Sequence, residues 1–148
     1  MPEDDFAVFY RRELEGQVRR AALLLNSDEA GNDVVHDVFT KMYARWADIE
    51  DPGPYLNRAV LNGCRDIGRR RVVAADVDLR LRASTTPEPD HIMFDVIDGL
   101  PFNQRAAVIL RFYGRMTENE IAAALDCRPG SVGPWIRKAL DTMRKELS

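Results

Sequence analysis

Arg58, Asn62, Arg65 and Arg69 follow one another at i, i+4, i+7 and i+11. At about 100° per residue they stack as one stripe along a helix. Tyr55 stands beside the stripe at the start of the same stretch, PYLNRAVLNGCRDIGRRR, and Asn57 is grouped with it. Guanidinium groups hold phosphates, and a planar side chain beside them stacks on an unpaired base. The chemistry on offer is a non-covalent grip on nucleic acid. For a lone arginine-rich helix a solvated charged face is the commoner explanation, so the rest of the chain must decide.

A second polar set is acidic. Asp33 and Asp37 lie at i and i+4 with Thr40 beyond them, and His36 and Tyr43 run along one border. Paired carboxylates do acid–base or metal chemistry when a nucleophile or further ligand joins them. None does here, which favours a solvated or docking face over a catalytic one. Cys64 and Cys127 are far apart, form no CxxC, and make no ligand cluster with His36 or His91. Neither metal nor cofactor is expected, no catalytic residue is assigned, and the chain does not read as an enzyme. Widely spaced thiols fit a reducing cytoplasm.

These residues need helices to position them. Opposite the arginine stripe, Leu56, Ala59, Val60, Gly63, Cys64 and Ile67 share one side, which predicts a helix from Pro54 to Arg71 with that side buried. Pro54 suits its first turn, where a missing N–H costs little. Upstream, Phe6, Phe9, Tyr10, Leu14, Val18, Ala21, Ala22 and Leu25 predict a first amphipathic helix. A second, from about Asp28 to Trp46, buries Val35, Val38, Phe39, Met42 and Trp46, and a short loop over 48–53 follows. Periodicity fades from Arg71 to about Asp90, and Ser84-Thr85-Thr86-Pro87-Glu88-Pro89 resists both helix and sheet, which predicts a linker. An ordered surface loop within one domain is the alternative.

Beyond it, short helices are expected over His91–Leu100 and Asn103–Tyr113, the latter stopped by Gly114. Thr117-Glu118-Asn119-Glu120 is a capping box opening a helix with Ile121, Ala122 and Leu125 inward. A turn through Asp126, Cys127 and Arg128 leads to a last helix with Val132, Ile136, Ala139, Leu140 and Met143 on one side. Two helices joined by a short turn, the first opened by a cap, make a helix-turn-helix pattern. No alternating strand pattern occurs, so the fold expected is all-α: two small helical domains, 1–72 and 91–148, joined over 73–90.

Charge sorts with this plan. The chain's net −3 hides segments of −6 (residues 1–57), +4 (58–82), −4 (83–99) and +3 (100–148). Two basic zones set apart by acidic ones suit a polyanion gripped at two places. The start, MPEDDF, lacks the basic-then-apolar order of a signal peptide, and no run nears the roughly 18 apolar residues of a membrane span. A cytoplasmic location is expected.

Together the two halves resemble a sigma factor of the extracytoplasmic-function class, within the sigma-70 family, over nearly the whole chain. Asn32-Asp33-Val34-Val35-His36-Asp37-Val38-Phe39 is similar to the family's E-D-L-V-Q-E-x-F segment, with Asn32 and His36 in place of the usual acid and Gln. The resemblance implies that Asp33, His36, Asp37, Thr40 and Tyr43 meet the clamp helices of the largest subunit of core RNA polymerase. The run from Tyr55 resembles W-L-x-x-I-A-x-N-x-x-x-D-x-x-R-R-R, which implies that Tyr55, Asn57, Arg58, Asn62, Arg65 and Arg69 read and melt the minus-ten element. The loop over Asp48–Pro54 then sits where a flipped base is captured. Leu100-Pro101-Phe102-Asn103-Gln104-Arg105 is similar to L-P-x-x-Q-R, and Thr117–Leu140 to the minus-thirty-five helix-turn-helix. From that helix Arg128, Ser131, Trp135, Arg137 and Lys138 are the DNA-contact candidates.

One departure matters. Where the family has basic residues early in the recognition helix, this chain has Gly133-Pro134-Trp135. A helix capped by Ser131 takes Pro134 in its first turn; one starting near Arg128 is kinked by it. Trp135 is left open between a thymine methyl, the core and a protein partner. The function implied is promoter selection and opening with core polymerase, by a chain that is monomeric when free and has an anti-sigma factor as a further candidate partner. An autonomous helix-turn-helix regulator and a sigma-like protein-interaction adaptor are the alternatives.

Overall fold

In a computed structural model of the chain, the backbone is described for residues 2–82 and 89–147, and the side chains for 5–70, 93 and 95–147. Seven α-helices are seen among the described residues, and no strand. They are α1 (Pro2–Leu25), α2 (Asp28–Ala44), α3 (Pro52–Arg82), α4 (Pro89–Asp98), α5 (Phe102–Phe112), α6 (Glu118–Leu125) and α7 (Pro129–Leu147), with a 3-10 turn over Trp46–Asp48. None of them is long and apolar enough to cross a membrane.

The caps sit where their residue types dictate. The Ser27 hydroxyl accepts from the Ala30 amide and opens α2, with Asp28 and Glu29 in its first turn facing the positive end of the helix dipole. The expected capping box is present at α6: Thr117 Oγ1 accepts from the Glu120 amide at 3.1 Å, and Glu120 Oε1 from the Thr117 amide at 3.0 Å. The Thr117 amide bond, with the Thr117 hydroxyl as a second donor, lowers the Glu120 carboxyl from its usual value. Asp126 takes a left-handed conformation (φ 55°) to end α6 and turn the chain toward α7.

α1 packs along α2, and both pack on α3. The α1–α2 crossing is close at Gly31, where an added Cβ would lie 2.6 Å from the Ala22 backbone nitrogen. Phe6 gathers Tyr10, Phe39, Tyr43 and Trp46 around it, mostly edge to face. The C-terminal helices form a second group, α7 against α4, α5 and α6, and this group does not stand apart. α3 packs on α6, α1 on α5, and one apolar core runs through both.

Several boundaries differ from expectation. α2 ends at Ala44, and Trp46 lies in the 3-10 turn. α3 starts at Pro52, shortening the loop before it, and the Tyr55 amide already donates to the Asp51 carbonyl. Helical backbone runs past the expected end near residue 71 to Arg82, a stretch with no proline or glycine after Gly68. Of the expected linker, 83–88 lie outside the described residues. Phe112, expected inward, is 57% exposed.

Candidate nucleic-acid interface

α3 is amphipathic as its spacing requires. Leu56, Val60 and Cys64 are buried, Ala59, Gly63 and Ile67 half-buried, and Arg58, Asn62 and Arg69 exposed on the other side. The core fixes the helix roll, and the roll presents the arginines. Tyr55 is half-buried and packs on the core at the entrance to the stripe.

Besides Tyr55, two of the expected residues do not share this exposed setting. Asn57 is half-buried, and its Oδ1 accepts from Gln17 Nε2 of α1 at 2.6 Å. It ties α3 to α1 instead of facing outward with Arg58. Arg65 is also half-buried. Its Nη2 donates to Asn103 Oδ1 at 3.3 Å, its Nη1 to Asn62 Oδ1 at 3.5 Å, and its guanidinium lies 5.2 Å from the centre of the Phe102 ring. The stripe is thus exposed at Arg58, Asn62 and Arg69, with the Asn62 amide bonded to Arg65, and half-buried at Arg65.

On α2, Asp33, His36, Asp37, Thr40 and Tyr43 are all exposed, opposite the buried Val34, Val35, Val38, Phe39 and Met42. Asp37 pairs with Lys41 at 3.0 Å, and the Thr40 hydroxyl donates to the His36 carbonyl. Ring contact with Phe6 braces Tyr43 at the end of this face. A groove of about 460 Å³ runs between this face and α3, its walls including Asp33, Asp37, Tyr55 and Asn62.

In α7 the helix begins at Pro129, so Ser131 is not its cap and Pro134 lies inside it. The helix loses the donor that would have met the Gly130 carbonyl. Arg128, Arg137 and Lys138 are exposed and Ser131 half-buried. Trp135 packs half-buried on the core and helps line a cleft with Arg65, Arg69 and Phe102. It does not join the exposed basic residues.

The role that sequence reasoning passed over is that of two buried polar side chains, Arg105 tying the halves together and Gln17 tying α1 to α3. Arg105, 8% exposed, donates from Nη1 to the Leu24 carbonyl at 2.9 Å and to Asp98 Oδ1 at 3.1 Å. Gln17, 2% exposed, is the only other buried polar side chain among the described residues. Its helical spacing from Leu14, Ala21 and Leu24, at i−3, i+4 and i+7, was the available sign. Near the same seam, burial pushes the Cys127 thiol up, the Asp126 carboxylate adds to the shift and Arg65 opposes it.

A family profile described as Sigma-70, region 4 matches residues 92–143. RNA polymerase sigma-E factor of Streptomyces coelicolor is 28% identical across 97% of this chain and 86% of its own length. The sigma-E factor of Streptomyces avermitilis is 27% identical over 97% and 85%. Among solved structures, the sigma factor RpoE crystallised with the anti-sigma factor NepR, from Bartonella quintana, shares the fold with a TM-score of 0.70 at 16% identity. That match covers 97% of this chain and 96% of the other.

Proposed function

We infer that the chain is a sigma factor of the extracytoplasmic-function class in the sigma-70 family, and that it directs core RNA polymerase to specific promoters and assists their opening. The observation that carries this reading is the exposed Arg58–Asn62–Arg69 row on α3 together with the exposed acidic face of α2, with Asn62, Asp33 and Asp37 lining the groove between the two helices. Two polar faces of opposite charge, one beside the other on a shared core, suit a protein surface and a DNA strand held together.

In this reading residues 1–72 are the unit that docks and melts, 91–148 the unit that reads the minus-thirty-five element, and 73–90 their connection. Asp33, His36, Asp37, Thr40 and Tyr43 meet the clamp helices of the polymerase. Tyr55, Arg58, Asn62, Arg65 and Arg69 hold the opened minus-ten strand, where an unpaired base offers a face for stacking and an edge for hydrogen bonds. Arg128, Ser131, Arg137 and Lys138 of the C-terminal pair of helices contact the upstream duplex, mostly through phosphates. Strand opening then draws on binding energy for unstacked DNA, with no bond chemistry by this chain, and takes place in the cytoplasm. The Bartonella structure supports an anti-sigma factor as a further partner.

Run-off transcription by core polymerase, with and without the chain, tests the reading. Promoter-dependent transcripts should appear only when the chain is added. Duplex binding without core, and no transcript with it, would refute the assignment.

A further inference from the structure

Where α3, α5 and α7 meet, Trp135 lines a cleft of about 720 Å³ with Arg65 and Arg69 of α3 and Phe102 and Asn103 of α5. That volume lies within the range of pockets that enclose a small organic ligand, about 300–1,000 Å³. The cleft is cationic. Arg105 joins Arg65 and Arg69 in its lining, and the one carboxylate there among the described residues, Asp98, pairs with Arg105 at 3.1 Å. Arg65 and Arg69 have no carboxylate within ion-pair distance among the described residues. Two like charges at i and i+4 on one helix repel each other, and an anion between them relieves that repulsion.

The same cleft offers planar surface. The Phe102 ring has the Arg65 guanidinium 5.2 Å from its centre and that of Arg105 at 5.5 Å. The half-buried Trp135 supplies a second aromatic wall, and Asn103 and Gln104 add amides that donate and accept. Gly68, in the middle of α3, lines the cleft without a side chain, and an added Cβ there would lie 3.9 Å from Arg105 Nη2. The floor is therefore open. Beside it, Leu61 of α3 is 3% exposed and borders a small cavity with Leu110, Met116 and Ala124, so core packing holds the walls in place.

We propose that this cleft binds a nucleoside phosphate, with Arg65 and Arg69 on the phosphates and Trp135 stacked on the base. A guanidinium meets phosphate oxygens through two parallel N–H bonds, and every base presents a flat face to an indole. A basic residue at 135 would bring a further cation and no aromatic surface. The site stands on the geometry of the cleft and is independent of the reading of α3 as the minus-ten helix.

The test uses the full chain and ADP carrying an N-methylanthraniloyl fluorophore on its ribose. Titration followed by anisotropy should saturate below about 1 mM. Arg69→Ala and Trp135→Ala should each weaken binding about tenfold, and Trp135→Phe, which keeps a ring, by less than about threefold. Gly68→Leu fills the floor with a residue that favours the helix, and should abolish binding. Arg11→Ala removes an equal charge from the exposed side of α1 and should leave binding unchanged. Far-ultraviolet dichroism checks that each variant stays helical; should Trp135→Ala not, the exposed Arg69 and the helix-favouring Gly68→Leu carry the test. Unlabelled ADP should displace the probe at about one-tenth the concentration that pyrophosphate or adenosine requires. No saturation, or a Gly68→Leu chain that binds as the wild type does, overturns the site. Pyrophosphate competing as well as ADP reduces it to an anion patch and overturns the nucleotide assignment. Both results leave run-off transcription, and the sigma-factor reading with it, untouched.

Discussion

Arg58 and Asp37 carry the sharpest contrast at the scale of single residues. Both are exposed, so neither substitution should disturb the core. Arg58→Ala is expected to weaken promoter binding by the holoenzyme about tenfold, the order of one lost stacking or hydrogen-bonding contact. Core affinity, measured by titration with labelled core polymerase, should be unchanged. Asp37→Ala should do the reverse, since among the described residues its carboxylate is held by an exposed pair with Lys41, which a partner can displace. Equal losses in both assays for either variant would contradict the two-face arrangement. These residues were legible in the sequence because a helical period places them opposite apolar neighbours. Arg65 was not legible in the same way. Its spacing put it on the stripe, but its partner Asn103 comes from 38 residues away, and no local pattern records that. Trp135 shows the same limit: its type marked it as unusual, and only the packing of α7 on the core determined its side.

At the scale of elements, caps were readable and lengths were not. A capping box is a four-residue signal, whereas the continuation of α3 to Arg82 depends on helix propensity where no apolar period survives. The box gives a pH-dependent prediction. The Glu120 carboxyl sits below its ordinary 4.5 because the Thr117 bonds favour its charged form. Its contribution to stability is therefore complete above the unfolded value and lost as pH falls through the lower folded one. Wild type should melt higher than Glu120→Gln above that range, and the gap should close on acidification, as followed by dichroism. A gap independent of pH would assign the effect to shape and not to charge. Thr117→Ala removes the other half of the box and should cost about 1 kcal/mol at neutral pH. Gly31→Ala acts on packing instead. A methyl group there meets the Ala22 backbone at 2.6–2.8 Å, which no rotamer change relieves. Forcing α1 and α2 apart should cost about 1–3 kcal/mol, and denaturant titration with an unchanged slope would register it as lost stability alone.

At the scale of the whole molecule, polar contacts within a helix and between the halves differ in worth. Arg19–Glu15 is exposed at both ends, and an exposed pair adds about 0–1 kcal/mol. Arg105 is buried, charged, and donates to a main-chain carbonyl that belongs to the other half. Its removal leaves the buried Leu24 carbonyl without that donor and the part-exposed Asp98 without that cation. Arg105→Met keeps much of the side-chain length and deletes the charge, so the loss reads the hydrogen bonds and not a cavity. The expected cost is about 2–4 kcal/mol, which for a chain of this size lowers the melting temperature by roughly 10 °C. Arg19→Ala should move it by about 2 °C or less. Because one core runs through both halves, the wild type should melt in a single cooperative transition. In Arg105→Met the calorimetric trace should broaden or divide as the halves begin to unfold separately. A variant that melts within about 2 °C of wild type, in one transition of equal width, would show that the apolar seam around Leu61 joins the halves without help from the buried guanidinium.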